Sequence, residues 1–113
     1  MPQVGKDTLG TRSTLTVEGK DYAYYSLAKA SEQIGDVSRL PFSLKVLLEN
    51  MLRFEDGGHT VSVENAKEIA SRVQTPETGG EIQYRPARVL LQDFTGVPCV
   101  VDLAAMRDAI KAL

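Results

Sequence analysis

Residues 88–102, Arg-Val-Leu-Leu-Gln-Asp-Phe-Thr-Gly-Val-Pro-Cys-Val-Val-Asp, limit most sharply what this chain can fold into. A short apolar run, residues 89–91, stops at Gln92 and Asp93. A turn is expected through Thr95 and Gly96, and Pro98 opens a pattern suited to a helix. The reading is strand, polar loop, helix. A strand that is apolar on both faces needs parallel neighbours to cover it. In α/β folds ligands commonly sit at the carboxyl end of such a strand. The rest of the chain offers few partner strands, and Leu113 follows directly on the helix. The remainder of a sheet is therefore expected beyond it.

Upstream, residues 1–13 are polar and without pattern, which reads as a flexible arm. Leu15 and Val17, then Tyr22 and Tyr24, alternate on either side of Glu18-Gly19-Lys20-Asp21. That spacing suits a β-hairpin of residues 14–17 with 21–25, and Gly19 supplies a turn position. Two strands alone are marginal, so the hairpin must rest on something else. Ser26 is placed to N-cap a short helix over 27–34 that Gly35 stops. Pro41 suits the first turn of the next helix. There Leu44, Leu47, Leu48, Met51 and Leu52 form a continuous apolar stripe at i, i+3, i+4, i+7 and i+8. Lys45, Glu49, Asn50 and Arg53 fall largely off it, and Gly57-Gly58 is expected to end the helix. Ser62 can cap a third helix with Val63, Ala66, Ile69, Ala70 and Val73 on one face. Residues 75–80 read as a loop. Residues 81–84 read as a short extended segment, broken at Arg85-Pro86. The last helix, residues 98–112, is expected to turn Val101, Leu103, Ala104 and Met106 toward a core. The fold class is mixed α/β: hairpin, helices, strand, helix.

With 113 residues the chain is one modest domain or part of a larger one. Its net charge of −2 provides no global basic field for nucleic acid. No run of ~20 apolar residues would span a membrane, and the first residues lack a signal-peptide core. A cytoplasmic protein is expected. The single cysteine, Cys99, cannot close an internal disulfide or hold a cysteine-based cluster alone.

Residues 91–108, Leu-Gln-Asp-Phe-Thr-Gly-Val-Pro-Cys-Val-Val-Asp-Leu-Ala-Ala-Met-Arg-Asp, closely resemble aconitase of the bacterial aconitase A and iron regulatory protein type. Leu40-Pro41-Phe42-Ser43-Leu44-Lys45-Val46-Leu47-Leu48-Glu49-Asn50 resembles that family's N-terminal helix. Tyr84-Arg85-Pro86-Ala87-Arg88-Val89 is similar to its approach to the first substrate-contacting loop. Gly5-Lys6-Asp7-Thr8 and Tyr24-Tyr25-Ser26-Leu27 resemble the start of the bacterial enzymes. The likeness covers nearly the whole chain but only the opening part of the family's longer protein.

The resemblance implies that residues 14–113 are the first part of a three-layer α/β/α domain, incomplete here. It implies a parent enzyme, a hydro-lyase that interconverts citrate and isocitrate through cis-aconitate with a [4Fe–4S] cluster held by three cysteines. It implies a substrate-binding role for Gln92, whose carboxamide carries both donor and acceptor. The family's other catalytic parts lie downstream and have no counterpart here, so this chain alone is expected to be inactive and to bind no cluster. Its expected partners are the remaining aconitase domains and the tricarboxylic acid substrate. RNA is expected only for the full-length, cluster-free form. Cys99 departs from the family's usual alanine and matches no cluster cysteine. An alternative is a free-standing, aconitase-derived binding or regulatory module without catalysis.

Other candidates have plainer readings. Asp93 and Thr95 suit capping or loop-holding bonds, and His59 a surface turn. Arg85 and Arg88 could meet a polycarboxylate, but pairing with Glu81, Asp102 or Asp108 is preferred. Cys99 reads as a small buried hydrophobe, and Tyr22, Tyr24 and Tyr25 as packing residues.

Overall fold

The computed structural model describes residues 3–75, 80–90 and 93–113, the side chains of 93–98 excepted. Among these residues the chain is mixed α/β, with a two-stranded antiparallel hairpin and four helices.

Strand β1 (Arg12–Val17) pairs with β2 (Lys20–Tyr25) in a register that sets Leu15 opposite Tyr22. The connection is two residues, Glu18 and Gly19, both at positive φ (49° and 75°). That is the turn whose twist matches paired strands, and it needs a residue such as Gly19 that tolerates the left-handed region. On one face Tyr25 is half-buried, with the Arg53 guanidinium 5.1 Å from its ring centroid. On the other, Leu15, Val17, Tyr22 and Tyr24 are exposed, so the packing role expected of Tyr22 and Tyr24 is not met among the described residues.

Helix α1 (Leu27–Ile34) starts at Ser26, whose side chain accepts from the Lys29 N–H, and stops at Gly35. Helix α2 (Phe42–Phe54) follows Pro41, which stands just outside the helix rather than within its first turn. α2 ends at Glu55, before Gly57-Gly58, because Glu55 is extended and its groups are engaged elsewhere. Helix α3 (Val63–Ser71) begins with a reciprocal cap. Ser62 accepts from the Asn65 N–H, and Asn65 Oδ1 accepts from the Ser62 N–H. α2 is the hub and packs against α1, α3 and β2. The core consists of Ala30, Val37, Leu40, Leu48, Met51, Leu52, Val61, Ala66, Ile69 and Ala70.

Five expectations are corrected. Residues 3–11 do not form a loose arm. The backbone N–H groups of Gly5 and Lys6 donate to Glu55 O, Thr8 donates to Glu55 Oε2, and Thr11 is fully buried. No strand forms over residues 88–90: a strand exists by its ladder, and the described residues pair only β1 with β2. Helix α4 (Asp93–Ala112) starts earlier than the expected Pro98 and runs through Thr95 and Gly96, where a turn was expected. Its face is not turned to a core. Val101, Leu103 and Met106 are 57%, 61% and 60% exposed, and Cys99 is exposed as well. Nothing among the described residues covers them.

Candidate functional site

Gln92, and Leu91 before it, lie outside the described residues, as do the side chains of Asp93 and Thr95. What the structure does show is how the segment leading toward them is held. That segment leaves the core at Arg85.

Asn50 projects from α2 and is only 9% exposed. Its Nδ2 donates to Arg85 O at 2.7 Å, and its Oδ1 accepts from the Arg85 N–H at 3.0 Å. One carboxamide thus satisfies both backbone groups of a residue 35 positions away, much as a neighbouring strand would. The spacing explains how Asn50 reaches inward. It lies three residues after Leu47 and four before Phe54, at the edge of the apolar stripe rather than opposite it. Its polarity had placed it off the stripe, and the residue was missed for that reason. A carboxamide with the stripe residue Leu47 at i−3 and the apolar Phe54 at i+4 is the signal that could have found it.

The Arg85 side chain is held separately. Nη2 donates to Thr60 Oγ1 at 2.8 Å and lies 3.9 Å from Asp56 Oδ2, and the guanidinium stands 5.2 Å from the Phe54 ring centroid. Arg85 is thus a paired, structural residue, although its partner is Asp56 and not one of the acids expected. Arg88 is exposed and has no ion-pair partner among the described residues. His59 is exposed in the same loop as Asp56, as its position in a turn suggested.

Asp56 organises that loop. Its carboxylate accepts from the Thr60 hydroxyl at 2.6 Å, from the Thr60 N–H at 2.9 Å and from the Val61 N–H at 3.0 Å. The Thr60 hydroxyl first, then the Thr60 N–H, hold Asp56 well below the usual carboxylate range, against an opposing contribution from burial. A depressed carboxyl stabilises the fold above the pKa of the unfolded chain, and that stability is lost as pH falls through the folded value. The thermal midpoint is therefore expected to fall as pH is lowered from about 5 to about 2. The slope should be shallower in Asp56→Asn. Asp36, also held low by the Ser38 N–H and then its hydroxyl, contributes to the slope in both proteins. An equal slope in both would remove Asp56 from this role.

A cluster held by three thiolates does not fit the donors present. The chain has one cysteine. Among the described residues no group of three or more His, Cys, Asp and Glu side chains converges. Nor is any helix among them long and apolar enough to cross a membrane.

The described residues thus define a mixed α/β segment in which a helical core and a polar clamp fix the approach to a loop. Comparison with known proteins makes the assignment more particular. The chain is 58% identical over 109 residues to aconitate hydratase A of Legionella pneumophila, covering 96% of this chain and 12% of that protein. It is 58% identical over 104 residues to the Pseudomonas aeruginosa protein of the same name and 54% over 103 residues to that of Escherichia coli. These matches cover 92% and 91% of this chain and 11% of each relative. The chain is homologous to the aconitate hydratases A, and it spans about a ninth of the length of these relatives. No protein-family model and no solved structure matches it.

Proposed function

We propose that this chain forms the part of an aconitate hydratase that brings Gln92 to the substrate, within a larger α/β/α domain. The observation that carries this reading is 58% identity over 109 of the 113 residues to an aconitate hydratase A. Chance or shared composition does not produce identity of that extent. The parent interconverts citrate and isocitrate. A [4Fe–4S] cluster, held by residues outside this chain, would supply Lewis-acid chemistry there. Gln92 offers the substrate one donor and one acceptor without adding charge, which suits a polycarboxylate hydroxyl or carboxyl oxygen. The isolated chain, with one cysteine and no partner domains, is inactive in this reading.

The test is a chimera: aconitate hydratase A of Legionella pneumophila with this chain in place of its matching residues. Citrate–isocitrate interconversion is expected to persist. Gln92→Ala within it is expected to lower kcat/KM about 10- to 100-fold, the loss of a hydrogen bond to a charged ligand. A soluble, cluster-loaded chimera without activity would sink the reading, and an unaffected Gln92→Ala would remove the glutamine from it.

A further inference from the structure

We propose that Asn50 is a positioning residue for the substrate loop, and that it acts by fixing where the segment running toward Gln92 leaves the core. The inference rests on the role given to Gln92 above, but its geometry involves only described residues.

Two observations carry it. The first is the form of the contact. A buried side chain on α2 bonds both the N–H and the C=O of Arg85, at 3.0 and 2.7 Å. A single bond would leave the peptide free to pivot; two opposed bonds fix both its position and its orientation. The second is redundancy around the same residue. The Arg85 side chain is tied independently to Thr60, Asp56 and the Phe54 ring. Backbone and side chain of one residue are thus held separately, the backbone by Asn50 within α2 and the side chain by the end of α2 and the loop after it. Beyond Arg85 restraint falls away: residues 86–90 are exposed and in no ladder or helix. Ile82, before Arg85, packs against the core. Arg85 is therefore the last tethered point among the described residues before Gln92.

The anchor's value to a substrate site follows from its reach. Gln92 lies seven positions after Arg85. Without Asn50 the Arg85 main chain is held only through its own side chain, so its peptide can shift and turn, and the range of positions open to the loop grows with it. A contacting group displaced by about 1 Å costs a reaction up to 10²-fold. Asn50 touches no substrate in this scheme; its effect passes through the loop it anchors.

The test is a double-mutant cycle in the chimera. Asn50→Ala is expected to lower kcat/KM about tenfold, mainly by raising KM. In the Gln92→Ala background the same substitution is expected to cost less than about twofold, because an anchor has nothing left to position. A purely structural role would instead give equal losses in both backgrounds, and that outcome would overturn the inference. If Asn50→Ala does not fold, Asn50→Asp serves. It keeps the shape and the acceptor for the Arg85 N–H but loses the donor to Arg85 O. The same non-additivity is expected from it, and its absence would equally overturn the proposal. A Gln92→Ala chimera with full activity identifies failure of the underlying reading. Loss on Gln92→Ala alone, with Asn50→Ala and Asn50→Asp both silent, identifies failure of this one.

Discussion

Leu48→Ala is expected to destabilise the folded chain by about 3 kcal/mol, within the range of about 2–5 for truncating a buried leucine. Leu48 is 0% exposed on α2, the helix that meets α1, α3 and β2, so its side chain fills the junction of the core. Alanine forfeits the transfer free energy of the lost carbons and leaves a cavity. Three elements must keep their mutual spacing around it, so little of that cavity can collapse. The measurement is urea unfolding, with the midpoint falling at unchanged slope. Leu103→Ala supplies the contrast. That leucine is 61% exposed on α4, and its truncation should change stability by no more than about 0.5 kcal/mol. Similar losses at both positions would mean that α4 is packed in solution.

Glu55→Ala is expected to cost about 2–4 kcal/mol, since a charged acceptor is removed and several donors are stranded. Glu55 is 5% exposed. Oε2 accepts from Thr8 N–H and hydroxyl at 3.0 and 2.9 Å, and Oε1 from the Gly57 N–H at 2.6 Å. The main-chain oxygen of the same residue accepts from Gly5 and Lys6, so the backbone of residues 5–8 is laid along the end of α2. Without the carboxylate the Thr8 and Gly57 amides should exchange with solvent faster, while the α3 amides keep their protection. Unchanged exchange at Thr8 would show that the bonds of Gly5 and Lys6 to the main-chain oxygen of residue 55, with those of Thr11 and Arg12 to Asp7, hold the segment without the carboxylate.

Elements with their own local signals were legible before any coordinates. α1 lies between Ser26 and Gly35 as read, because a cap and a glycine at positive φ act within one turn of chain. The hairpin register follows from alternation about Gly19, and both strands run only slightly longer than expected. The stripe of α2 buries Leu48, Met51 and Leu52 as its spacing required. The reading of residues 88–91 as a strand relied instead on composition, and composition cannot supply a ladder partner. Asn50 and Glu55 were passed over because a polar side chain seen alone suggests solvent. Their burial depends on donors 35 and 47 positions away in the chain.

The sequence by itself determined the three short helices, the hairpin and its turn, and, through its likeness to the aconitate hydratases A, the kinship of the chain. Each is set by residues close together or by identity read along the chain. Only the tertiary structure decided which polar groups become buried anchors: Glu55 for residues 5–8, Asp56 for its loop, and Asn50 for Arg85. It also decided that the apolar side of α4 is uncovered within the described residues. The physical reason is the same in both cases. Capping and periodicity act over one or two turns of backbone. Burying a carboxamide or carboxylate is tolerable only once distant donors and acceptors arrive to satisfy it.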